Sequence, residues 1–234
     1  MQRASFRCPS ASGLPPICAR GGSILRDEAA IAAPPRPRTV RARHAASLVL
    51  LRTGPHGPEM LMGLRGARHR FMPNRLVFPG GAVDRADLRA PSATPLALLT
   101  RARLEKAANP LLAHGLGIAA ARELEEETGL TLGHPPALDG LEYLCRLITP
   151  PGGPIRFNAR FLLLDAARAG GTLAGSGELE QLRFYPIPEA LRLDLAQPTR
   201  MVIERTTAWM AMSPEERLAE TRMPVFRLRS WRWE

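Results

Sequence analysis

A mixed α/β sandwich, with a β-sheet held between helices (α/β/α), is the fold class this chain predicts, on three observations. Strand-like apolar runs alternate with helical stretches from residue 45 to residue 212. A Pro-Gly-Gly turn, Pro79-Gly80-Gly81, directly follows the strand-like Arg75-Leu76-Val77-Phe78. Farther along, a stretch from Ala120 to Leu130 reads as a helix that carries three carboxylates on one face.

Residues 1–38 are rich in proline and lack periodicity, so they read as a flexible N-terminal extension, with residues 39–234 as one domain. This extension has no continuous apolar centre of the kind a secretory signal needs. It bears arginines and no acid before Asp27, as organellar transit peptides do, but a plain extension and a cytoplasmic protein are the expectation. Ala45 to Arg52 predicts a buried strand, Gly54 to Pro58 a turn, and Glu59 to Arg65 a strand pairing back. The basic loop that follows places Arg65, Arg68, Arg70 and Arg75 close together, a set whose forked donors suit phosphate. Pro95 to Ala107 predicts a helix capped by Thr94. Beyond the carboxylate helix, Leu141–Ile148, Phe157–Leu164 and Glu178–Tyr185 predict strands. Pro188–Leu195 and the amphipathic Pro198–Met212 predict helices. The ending, Val225 to Trp233, is short, basic and aromatic; packing on the sheet is expected, with stacking on a base as the alternative.

The carboxylate helix is the most informative segment. Glu123, Glu126 and Glu127 stand at i,i+3 and i,i+4 spacing, so like charges repel on one face. They also lie in a last turn, where the macrodipole disfavours anions. Gly129 sits where a left-handed C-terminal cap belongs, and Arg122 is placed to pair with Glu126. A hard divalent cation with oxygen ligands removes the conflict that folding alone leaves in place. The paired glycines upstream allow a tight turn and close approach of backbone to a ligand.

Together these residues resemble the signature of the Nudix hydrolase family. Gly81 is followed, after five intervening residues, by Asp87, and Arg122-Glu123-Leu124-Glu125-Glu126-Glu127-Thr128-Gly129-Leu130 matches the second half at every specified position. The chain departs in having Asp87 where the family usually has Glu, and in a much longer spacer, residues 88–121, which an insertion at about 88–115 accounts for. Phe71-Met72-Pro73, Val77 to Gly81, Asp84 and Asp87 add a likeness to the subgroup of the peroxisomal coenzyme A diphosphatase.

The resemblance implies the Nudix fold and Mg²⁺- or Mn²⁺-assisted hydrolysis of a diphosphate linking a nucleoside to another group. It implies Glu123, Glu126, Glu127 and the Gly80 carbonyl as metal ligands, with Asp87 and a late acid, Glu178 or Glu180 (Glu180 taken), as outer candidates. Arg122 orients a neighbouring Glu in that picture, and Arg65, Arg70 and Gly81 meet substrate. Coenzyme A or acyl-coenzyme A is the first substrate expectation. ADP-ribose, NADH, capped RNA and a non-catalytic nucleotide-binding module are the alternatives. The insertion is expected beside the cleft, where it would shape substrate choice.

Composition narrows the partners. The formal charge is +10, but Lys106 is the only lysine, and residues 1–43 carry +6 of the total. The remaining body is mildly basic, which suits a small anionic substrate and does not call for nucleic acid. No apolar run approaches a membrane span; the longest, near Ala45 to Leu51, is strand-sized. Cys8, Cys18 and Cys145 form no disulfide framework, and the histidines show no zinc spacing. A homodimer is compatible with all of this.

Overall fold

A computed structural model describes residues 40–66 and 73–234. β1 (Arg43–Gly54) and β2 (Gly57–Arg65) form an antiparallel hairpin whose turn Gly57 closes at φ 110°. Then come β3 (Leu76–Val77), β4 (Gly80–Ala82), α1 (Leu98–Glu105), α2 (Pro110–Thr128) and β5 (Leu130–Thr131). The chain continues through β6 (Glu142–Ile148), β7 (Phe157–Asp165), β8 (Gly170–Gly171) and β9 (Leu179–Pro186). It closes with α3 (Ile187–Ala190), α4 (Gln197–Ala211), α5 (Pro214–Ala219), β10 (Pro224–Arg227) and β11 (Ser230–Trp233).

The main sheet runs in the order β11-β10-β6-β7-β1-β2-β3, with β4 also against β1 and β9 against β2. It is mixed: β1 with β7 and β6 with β10 are parallel, and the other pairs are antiparallel. Side chains alternate across the pleat, so each strand feeds two cores. Ala46, Leu48, Leu50 and Leu61 face α1 and α2, meeting Leu104, Leu116 and Leu124. Val49, Met60 and Met62 face α3 and α4, meeting Ile187, Val202, Ile203 and Trp209. Each fully buried aliphatic side chain of this kind contributes roughly 1.5 to 3 kcal/mol of transfer free energy. The result is the α/β/α sandwich that the alternating pattern predicts.

α2 starts well before the acidic stretch. Asn109 caps it, its side chain accepting the Leu112 N–H at 2.8 Å, and Pro110 fills the first turn. It ends as predicted, with Gly129 left-handed at φ 74° and its N–H on the Glu125 carbonyl. Arg160 of β7, buried, donates to the Ala107 carbonyl at 2.8 Å and ties the α1–α2 connection to the sheet.

Two predicted helices are shorter. α1 begins at Leu98 without a side-chain cap. Thr94 is occupied elsewhere, donating to Asp139 at 2.7 Å and accepting the Leu138 and Asp139 N–H groups. α3 stops at Ala190, so the predicted run to Leu195 is mostly turn. The basic and aromatic ending, expected to pack on the sheet, forms a hairpin, β10–β11, that extends the sheet beyond β6.

Candidate active site

β4 lies antiparallel on the first half of β1, with Ala46 opposite Gly81 and Ser47 opposite Gly80. A methyl group on Gly80 would collide with Ser47 and the Ala46 carbonyl, and one on Gly81 would collide with the Glu123 carboxylate. Glycine is required at position 80, where the clash is with backbone, whereas at position 81 the added group would displace the Glu123 carboxylate. The Gly80 N–H donates to Glu127 Oε2 at 2.8 Å in a buried bond. The glycine turn and the acidic helix, 47 residues apart at this contact, are thus joined directly.

Glu127 is only 4% exposed. Burial pushes its carboxyl up to about 7; the Gly80 N–H and the Arg65 charge oppose this, while Glu123 and Glu178 add to it. Burial likewise raises Glu123, with Arg122 opposing and Glu126 and Glu178 adding. Glu126 is more exposed and reaches Arg122 at 2.8 Å.

Arg122 is the centre of the hydrogen-bonding around these acids. Its Nε and Nη2 donate to the two oxygens of Asp87 at 3.0 and 3.1 Å, and Nη2 also meets the Ala82 carbonyl at 3.1 Å. Nη1 donates to Glu123 Oε1 at 2.9 Å and Glu126 Oε2 at 2.8 Å. The Asp87 hydrogen bond, first among several causes, raises the Arg122 pKa further above its ordinary value. Asp87 is buried, and its Oδ2 also accepts the Asp84 N–H at 2.8 Å. Both its oxygens are therefore engaged, which suits holding Arg122 better than acting as an open metal ligand.

The two late acids stand differently toward the helix carboxylates. Glu178 acts electrostatically on both Glu123 and Glu127, and Glu180 is among the causes for neither. Glu180 is paired across the ladder with Leu64, whereas Glu178 lies just past the ladder's end, where its carbonyl accepts the Gly66 N–H at 3.4 Å.

A cavity of about 370 Å³ opens against the glycine turn. Gly80, Gly81 and Arg65 form the wall shared with the acidic cluster, and Phe78, Phe161 and Phe226 make the apolar part. The Nε of Arg65 is buried and has no hydrogen-bond partner among the described residues. Arg75 turns away from the cavity to pair with Asp194. Arg68 and Arg70 lie outside the described residues. Residues 88–115, the expected insertion, are not among those lining this cavity.

Hard oxygen donors are the chemistry a divalent cation needs, and Glu123 and Glu127, both raised by burial and by neighbouring acids, are donors a cation would relieve. As the side chains stand, no three His, Cys, Asp or Glu groups among the described residues converge as a metal site. Arg122 holds Glu123 and Glu126, and the Gly80 N–H holds Glu127. The donor chemistry fits, and Arg122 must yield some of its bonds for the ligands to close.

No protein-family model matches the chain, and no curated protein is significantly similar. A solved NUDIX hydrolase from Alicyclobacillus acidocaldarius is similar, with TM-score 0.55 and 25% identity over 70% of this chain and 90% of that one. A MutT NUDIX hydrolase from Burkholderia pseudomallei matches with TM-score 0.47 and 20% identity over 71% and 98% of the two chains. The NUDIX domain of Shewanella oneidensis NrtR, solved with ADP ribose, matches with TM-score 0.46 and 16% identity over 74% and 90%. The mixed sheet between helices is the Nudix fold. The likeness to the Alicyclobacillus NUDIX hydrolase is one of fold.

Proposed function

We propose that the protein is a metal-dependent Nudix hydrolase that cleaves the diphosphate bond of a nucleoside diphosphate linked to another moiety. The observation that carries this reading is the buried Glu127 carboxyl, bound to the Gly80 N–H and flanked by Glu123 and Glu178. Folding stability alone gives no reason to bury an acid beside two others at a helix C-terminus.

Glu123, Glu126 and Glu127, with the Gly80 carbonyl, would hold the cation. When bound, Mg²⁺ or Mn²⁺ supplies neutralisation of phosphate oxygens and acidity to a water molecule. Glu123 Oε1 is taken by Arg122, so Oε2 is the oxygen left to accept a proton from the attacking water. Glu178 is the second candidate base. Arg122, anchored by Asp87, orients Glu123 and Glu126. Arg65 lines the cavity and carries a buried Nε without a partner among the described residues, a donor that a phosphate oxygen would satisfy.

Coenzyme A and acyl-coenzyme A head the substrate list, on the subgroup likeness of the glycine-turn segment. ADP-ribose, NADH and capped RNA follow. A second reading, a nucleotide-binding module without turnover, is favoured by one observation: Arg122 ties up two of the three helix carboxylates. Hydrolysis of a panel with Mg²⁺ or Mn²⁺, products identified by mass, separates these readings. Release of 3′,5′-ADP and phosphopantetheine supports the coenzyme A assignment. Turnover of another member keeps the class and discards that substrate, and nucleotide binding without any turnover supports the module.

A further inference from the structure

We propose that the C-terminal β10–β11 hairpin is part of the substrate pocket, with Phe226 as an apolar wall for the nucleoside and Arg229 as a phosphate contact. This rests on the reading that the cavity beside Gly80 and Gly81 receives a nucleoside diphosphate.

Three features of the hairpin point this way. First, its place in the sheet is fixed: Phe226 sits opposite Leu147 in the parallel β6–β10 ladder. The Phe226 ring is held edge-on to Trp231 at 5.5 Å and 67°, and it borders the cavity. Second, the turn is costly. Arg227 pairs with Ser230, so Leu228 and Arg229 are the two central residues, and both have positive φ, 53° and 64°. Asn-Gly fills such a turn with little strain, whereas side chains like these do not. A hairpin chosen for stability would not keep arginine there, yet this arginine lines the cavity. Third, the charge is one-sided. Arg65 and Arg229 line the cavity, and none of its described lining residues is acidic. Between them the wall is mostly aromatic and aliphatic, with few groups able to read the edge of a base. Such a pocket grips a flat apolar group by its faces and anionic groups by the two arginines, so it tolerates different bases.

The test is calorimetric binding of ADP to the full chain in magnesium buffer, with thermal unfolding followed in parallel. Arg229→Gly is expected to weaken ADP about tenfold while melting at the same temperature or higher, because glycine relaxes the turn. Arg229→Lys should restore part of the affinity. Phe226→Ala should weaken ADP and GDP alike. Arg229→Gly that binds ADP as tightly as wild type overturns the hairpin assignment while leaving the hydrolase reading intact. Wild-type protein that neither binds ADP nor hydrolyses any diphosphate overturns both.

Discussion

Burial holds the Glu127 carboxyl up to about 7, so the group is neutral in the folded protein over a range where the unfolded chain would ionise it. Its folded pKa is raised above the unfolded value of 4.5, so the native state binds more protons between those two pH values. The contribution of this one group is therefore fully present below 4.5, is lost as pH rises through about 7, and then stays constant. The full loss is about 3 kcal/mol. Urea denaturation in chelator-treated buffer should show this slope in wild type and a flatter line in Glu127→Gln. Arg122 makes a second residue-scale case. Arg122→Ala leaves Asp87 buried without its partner, and unfolding should become easier by about 2 to 3 kcal/mol. Adding Asp87→Asn should return part of that loss. Simple additivity in that double-mutant cycle would mean the pair is not coupled. Asp87 also shows what local spacing misses. Its place in the signature was legible, but its use was not, because the partner guanidinium lies 35 residues away and arrives only when α2 packs on β4.

Among the elements, α2 was the most legible. The spacing of Glu123, Glu126 and Glu127, the Arg122–Glu126 pair and the Gly129 cap are local features, and each stands where periodicity put it. The helix's start at Asn109 was not read, although Asn-Pro is an ordinary entry signal. α5 was missed as well, despite the capping box in which Ser213 and Glu216 bond reciprocally at 3.2 and 2.7 Å. Ser213→Ala should lower stability by about 1 kcal/mol with turnover unchanged, as read from melting and steady-state rates. Gly81→Ala belongs to the meeting of β4 and α2. The added methyl group collides with the Glu123 carboxylate, so kcat should drop at least tenfold while Ser213→Ala leaves it alone. A Gly81→Ala enzyme with wild-type kcat would show that the turn does not need to lie so close. The late acid was ambiguous for an element-scale reason. Period-two alternation gives Glu178 and Glu180 the same face, and only the end of the β2–β9 ladder separates them.

At the scale of the molecule, the alternation of apolar runs was enough for an α/β/α sandwich, and the two cores follow from it. The strand order was beyond reach, since β1 lies parallel beside β7 across more than 100 residues of chain and nothing local encodes that partner. That pairing, with β4 on the same strand, builds the cavity beside the acidic helix. The central proposal is that the carboxylate face of α2, with Glu127 buried, drives metal-dependent cleavage of a diphosphate. The most direct measurement compares wild type with Glu127→Gln on the substrate panel, with and without Mg²⁺, quantifying products by mass. Metal-dependent turnover in wild type that falls by roughly a hundredfold or more in the folded variant is the expected result. Equal turnover in the two proteins, or wild-type hydrolysis indifferent to metal, would contradict it.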